Sequence, residues 1–406
     1  MFGKNQLFFL ADKLFALTGT DKNKSIEEVF TMTKPVEIVT ISRTIPIFKN
    51  SEPANAIEVV NFNFENGDEC GFNVVSQKGL YQVGDLAVYI QPDYCLPDTE
   101  LFKSFTAPNG DPNKSKLGKQ NRIKAIKFNF QFEDSSDPIY SNGILLPLSE
   151  INLPEDREED FDIAEFLGIS KYEEPEKFKT GNAKGNLPGF LYKTDEENAA
   201  NSKSHINRVL AAGERIGWTL KVDGSSFTQY FKKEEDSWIT GICSRLLEKK
   251  VPEDISLTSD PWVTLSVSSG LFEKGMRYCQ DNDRELAFRG EIYGEGLKGS
   301  GNKLNPHSKH KPSLVIFGID DLSSGFAIKL LPNEVADICF GELPYLGYQP
   351  FYSEVSNYDE LIVEAKKVFD YFKADSNWNI EGIVVRTLDN NKLSVKVMND
   401  AYDTKK

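Results

Sequence analysis

The stretch "TLKVDGSSF", residues 219–227, sets a lysine and an aspartate two positions apart and follows them with glycine and two serines. On a β-strand, side chains at i and i+2 leave the same face, so a strand here predicts Lys221 and Asp223 in one cavity with Val222 packed behind. Such a pair is either a surface ion pair or a reaction centre. As a nucleophile the lysine must lose its proton, which a carboxylate neighbour opposes. The pattern makes chemical sense as a reaction centre only with a divalent cation to reverse the effect of Asp223.

The surrounding chain limits the choices. Its 406 residues are 39% hydrophobic and 27% charged, the profile of a soluble globular protein with room for two or three domains. No apolar run approaches the roughly 18 to 20 residues of a membrane span, and the start shows no signal peptide, so the expectation is an intracellular, cytoplasmic protein. Cys70, Cys95, Cys243, Cys279 and Cys339 are scattered without the close pairs of a zinc site or disulfide framework, and read as buried thiols. The net charge of −15 argues against a nucleic-acid partner when taken alone, but the charge is unevenly spread. Acid gathers in 152–177, whereas 114–127, "KSKLGKQNRIKAIK", carries only basic charge. That segment is either a solvated loop or a local phosphate track.

Residues 1–34 read as an N-terminal extension with a short amphipathic stretch, "QLFFLADKLFAL". From 35 to 150, β-rich segments such as "VEIVTIS", "AIEVVNF" and "DLAVYI" alternate with turns, which suggests a small closed sheet of the oligonucleotide-binding (OB) type. Residues 151–184 read as an acidic linker with one short helix, "DIAEFLG". From 185 to 406, strands mix with helical stretches such as "YDELIVEAKKVFDYFKAD", so the fold class expected is α+β.

Lys-x-Asp-Gly alone is a weak signal, and downstream context carries the claim. "GICSRLLEK" holds Ser244 and Arg245, and "LAFRGEIYGEG" places Glu291 in a strand. "SLVIFGIDD" has Phe317 at its centre, "IEGIVVRT" opens with Glu381, and "KLSVKVMND" sets Lys396 between two valines. Charges embedded in apolar strands are costly unless paired or functional. Glu291 and Glu381 could simply pair with Arg289 and Arg386, and Phe317 could be a core aromatic.

In this order the elements resemble the motifs of the covalent nucleotidyltransferases, the superfamily of polynucleotide ligases and mRNA capping enzymes. Lys221 to Gly224 is similar to motif I, Ser244–Arg245 to motif Ia and Phe288 to Gly294 to motif III. Leu314 to Asp320 is similar to motif IIIa, Glu381 to Arg386 to motif IV and Ser394 to Met398 to motif V. The resemblance implies a ligase-type transferase domain of antiparallel sheets with flanking helices, ATP and Mg²⁺ or Mn²⁺ as cofactors, and attack by Lys221 on the α-phosphorus of ATP. It assigns Lys221, Glu291, Glu381 and Lys396 to catalysis. Leu220, Val222, Arg245, Phe317, Glu291 and Lys396 fall to nucleotide binding, and Asp223, Glu291 and Glu381 to the metal.

DNA ligases and capping enzymes carry an OB domain after motif V, and only ten residues follow Lys396. The β-rich segment precedes the transferase half instead, an order similar to the fifth family of ATP-dependent RNA ligases. Phrases such as "GLYQVGDLAVYIQPDYCLP", "EFLGISKYEEP" and "LYKTDEEN" carry the same resemblance. It implies a monomer that seals 3′-OH/5′-phosphate ends of RNA, nicked duplexes included, in RNA repair. The alternatives are a ligase for DNA or mixed strands, an inactive nucleic-acid-binding relative, and a capping-type guanylyltransferase. Two departures stand out: Asn198 follows "TDEE" where the family commonly has an arginine nearby, and Met398 replaces the second lysine of motif V.

Overall fold

The computed structural model describes residues 34–403 except 155, 158–160, 174–181, 236, 256–257, 298–304 and 340. The amphipathic stretch expected within residues 1–34 lies outside the described residues. No described helix is long and apolar enough to cross a membrane.

The first part of the described chain builds a five-stranded antiparallel sheet from β1 (Val36–Ile45), β2 (Ile57–Phe64), β3 (Val74–Gln77), β4 (Leu86–Ile90) and β5 (Ile144–Pro147), in the order β5-β4-β1-β2-β3. Val60, Phe62 and Phe64 alternate into one core with Tyr89, as a period-two strand requires. The helix expected in the acidic stretch forms at Ile163–Leu167. Asp162 caps its start by accepting from the Ala164 and Glu165 amides, and left-handed Gly168 ends it.

Beyond residue 182 the chain alternates between two further sheets. Its strands are β6 (Ala183–Asn186), β7 (Glu197–Asn198), β8 (Ile216–Leu220), β9 (Ser225–Glu234), β10 (Ser237–Cys243), β11 (Leu247–Lys249), β12 (Leu286–Tyr293), β13 (Ser313–Asp321), β14 (Ile328–Lys329), β15 (Gly382–Thr387) and β16 (Ser394–Met398). One sheet has seven strands, β6-β11-β10-β9-β12-β13-β14, and the other four, β7-β16-β15-β8. Pairing is antiparallel apart from the short parallel contact of β7 with β16. The seven-stranded sheet buries Phe231, Phe288 and Ile316 with Leu271, Cys279 and Val335 from helices Leu271–Asn282 and Pro332–Cys339. The four-stranded sheet buries Trp218, Ile383 and Val395 with Val209 and Leu361 from helices Lys203–Ala211 and Tyr358–Ser376. Each such aliphatic or aromatic side chain contributes about 1.5–3 kcal/mol when fully buried. All five cysteines are free and buried.

Candidate functional site

The four-stranded sheet presents its second face to a cavity, and the pleat decides which residues reach it. In β16, Val395 and Val397 enter the core while Lys396 and Met398 line the cavity; in β15, Ile383 and Val385 enter the core while Val384 and Arg386 line the cavity. The cavity measures about 380 Å³, within the range of small-molecule sites.

Lys221 stands where the chain crosses from one sheet to the other. β8 ends at Leu220, and β9 begins at Ser225 in the seven-stranded sheet. The Lys221 amide still donates to the Gly382 carbonyl at 3.0 Å, after which ladder pairing stops. The strand expected through Lys221 and Asp223 is therefore absent, and their side chains diverge. The Lys221 ammonium donates to Glu381 Oε2 at 2.8 Å. The Asp223 carboxylate instead accepts from the Tyr402 hydroxyl at 2.5 Å, outside the cavity lining, and the Asp223 carbonyl accepts from Asn305 Nδ2 at 2.8 Å. Gly224 serves the crossing itself: a Cβ there would lie 2.3 Å from the Ile292 carbonyl oxygen, a clash with backbone.

Glu291, Glu381 and Lys396 line the cavity with Lys221, as do Leu220, Val222, Arg245 and Phe317. Their electrostatics are coupled. Burial works against the charged Lys221 amine, but the Glu381 carboxylate, with Glu291 and Asp223 adding to it, outweighs burial and holds the pKa above its ordinary value. Burial pushes the Glu291 carboxyl up to about 8, opposed by Lys221 and reinforced by Glu381 and Asp223. Lys221, Glu291 and Glu381 thus act on one another's protonation.

The simpler partners considered for these carboxylates are engaged elsewhere. Arg289 bonds Asp320 at 2.6 Å, and Arg386 bonds Ser394 Oγ at 2.9 Å with Glu196 at 3.5 Å. Arg245 makes a two-pronged pair with Asp195 at 2.9 and 2.8 Å, which fixes its guanidinium at the cavity wall. Lys396 pairs with no carboxylate among the described residues. Lys392 is exposed and pairs with Glu214 at 2.7 Å. Asn198 accepts from the Ala200 amide at 3.0 Å and so caps the turn that follows it.

Several lining residues escape the sequence reading. Glu196 and Arg386 reach the cavity together with Tyr348, and Asp93 and Arg122 come from the first part of the chain. Asp93 takes the Arg122 Nε at 2.9 Å. The basic stretch 114–127 is a signal for Arg122, and Asp93 lies in the quoted phrase "GLYQVGDLAVYIQPDYCLP", but none exists for Tyr348.

Among the described residues, no three histidine, cysteine or acidic side chains converge as a metal site. Asp223 bonds Tyr402, while its charge still acts on Lys221 and Glu291. Glu291 and Glu381 do fit a hard cation that keeps waters and takes phosphate oxygens, as Mg²⁺ characteristically does.

No protein-family model and no curated protein matches the chain. Solved structures do. A lysine-to-methionine mutant of Naegleria gruberi RNA ligase with AMP and Mn aligns with a TM-score of 0.69 and 22% identity, covering 92% of this chain and 98% of that one. An arginine-to-alanine mutant of the same ligase with ATP and Mn aligns at 0.67 and 23%, covering 91% and 98%. Its structure with PPi aligns at 0.66 and 23%, covering 91% and 97%. The chain therefore has the mixed α+β fold of these RNA ligase structures.

Proposed function

We propose that this protein is an ATP-dependent RNA ligase that seals 3′-OH/5′-phosphate ends, including nicks in duplexes, through a lysyl–AMP intermediate, in RNA repair. The observation that carries the reading is the set of Lys221, Glu291, Glu381 and Lys396 lining one cavity, in a chain sharing the fold of RNA ligase structures solved with ATP, AMP or PPi. In this reading residues 35–150 are an OB-type domain, 151–184 a linker and 185–406 the adenylyltransferase domain, acting as a monomer.

Lys221 Nζ, once deprotonated, attacks the α-phosphorus of ATP; the N–P bond forms as the bond to pyrophosphate breaks. Glu381 holds Nζ in place beforehand through its 2.8 Å bond. Lys396 faces the cavity without a carboxylate partner among the described residues, which suits an α-phosphate contact. Phe317, half-buried on the cavity wall, offers its ring to the adenine, with Leu220 and Val222 as apolar neighbours. Glu291 and Glu381 would hold Mg²⁺ or Mn²⁺ with Asp223 behind them, and the cation would supply charge neutralisation at the phosphates and favour the neutral amine. The AMP then passes to a 5′-phosphate, and a 3′-hydroxyl displaces it to seal the strand.

Incubation with α-labelled ATP and a divalent cation is expected to label the protein, and Lys221→Ala to abolish the label. A label that survives in Lys221→Ala sinks the proposal. Labelled GTP used in preference to ATP points to a capping-type enzyme instead.

A further inference from the structure

Arg122 belongs to a segment that the reaction at Lys221 leaves unused. Residues 114–127 contain Lys114, Lys116, Lys119, Arg122, Lys124 and Lys127 and no acid, in a chain of net charge −15. The backbone of this segment is anchored. Ile123 and Ala125 are buried, the Ile123 amide donates to the Tyr94 carbonyl at 2.8 Å, the Asp93 amide to the Ile123 carbonyl at 2.9 Å, and the Leu96 amide to the Asn121 carbonyl at 3.2 Å. The Gly118 amide donates to the Arg122 carbonyl at 2.7 Å, closing a tight turn in which Lys119 is exposed. The Lys124 stem lies 3.9 Å from where a Gly118 Cβ would stand, so Lys119, Arg122 and Lys124 form one group on that turn.

The charges differ in their partners. Arg122 is held by Asp93 and lines the cavity. Lys114, Lys116, Lys119 and Lys127 are exposed, and none of the segment's five lysines pairs with a carboxylate among the described residues. A set of ammonium groups without carboxylate partners among the described residues, on an anchored backbone whose Arg122 lines the cavity, suits a polyanion. Phosphate contacts of this kind draw their free energy from counterion release and carry no base specificity.

We propose that residues 114–127 form the track along which the phosphate backbone of a nucleic-acid strand reaches the Lys221 cavity. This rests on the ligase reading for the strand's purpose, though not for its binding. The test uses the full chain and a fluorescent nicked RNA duplex bearing a 5′-phosphate, titrated at several salt concentrations. Lys116→Ala/Lys119→Ala/Lys124→Ala is expected to lower the slope of log affinity against log salt by about three and to weaken binding at low salt by about tenfold or more. Formation of the labelled lysyl–AMP, in which no nucleic acid takes part, stays at the wild-type level and reports an intact fold. The corresponding triple Lys→Arg variant keeps the slope. An alanine variant with normal adduct and an unchanged slope overturns the proposal. A wild type that gives no adduct, yet binds the duplex through these lysines, discards the ligase reading and leaves the track standing.

Discussion

Lys221 is poised by its neighbours in a way no isolated lysine could be. Glu381 fixes the amine at 2.8 Å while holding its proton on, so in the proposed reaction the contact that positions Lys221 would also restrain it until the carboxylate charge is taken up elsewhere. Gly224 shows the steric side of the arrangement. The crossing strand passes so close to the Ile292 carbonyl that a methyl group has no space. Gly224→Ala is expected to destabilise the protein by about 1–3 kcal/mol and to slow adduct formation, measured by urea unfolding and by labelling with α-labelled ATP. Glycine after Lys-x-Asp was visible in the sequence, but its reason was not, because the atom it avoids lies 68 residues downstream in β12.

At the scale of elements, β12 and β13 are tied by a buried ion pair. Arg289 and Asp320 lie 2.6 Å apart with side chains 3% and 2% exposed, and the Tyr192 ring covers the guanidinium at 4.7 Å. Removing one partner strands a desolvated charge, whereas replacing both with apolar groups of similar volume does not. Asp320→Ala is expected to cost about 3–5 kcal/mol, and Arg289→Met/Asp320→Leu far less than twice that; a double-mutant cycle by chemical denaturation checks the non-additivity. The helix Tyr358–Ser376 depends on a local contact instead: Asn357 accepts from the Glu360 amide at 3.0 Å. Asn357→Ala should cost about 1 kcal/mol by the same measurement.

At the scale of the whole molecule, buried His307 and partly buried Glu37 tilt stability with pH in opposite directions. Burial and His310 pull His307 from 6.5 down to about 4, so the folded state binds fewer protons than the unfolded one between those values, and stability falls as pH drops through that window. Burial, with Glu65 and Glu197 adding and Lys34 opposing, pushes Glu37 from 4.5 up to about 7, so stability falls as pH rises through that window. His307→Gln is expected to gain about 2 kcal/mol relative to wild type between pH 7.5 and 5. Glu37→Gln should shift the balance the other way, gaining relative to wild type as pH rises. Urea midpoints across this range test both signs.

The order of motif-like elements, the strand-rich first part and the α+β class were legible from local patterns alone. Period-two alternation in β15 and β16 already separates cavity-facing Lys396 from core-facing Val395 and Val397. Tertiary structure decided what depends on contacts between distant segments. It broke the strand at Lys221 and gave Asp223 to Tyr402. It sent Arg289 to Asp320 and brought Arg122 to a cavity lined mostly by residues beyond 190. Side-chain period is a property of neighbouring residues and so is written in sequence. The partner of a buried charge is chosen by packing and desolvation among residues that meet only when the chain has folded.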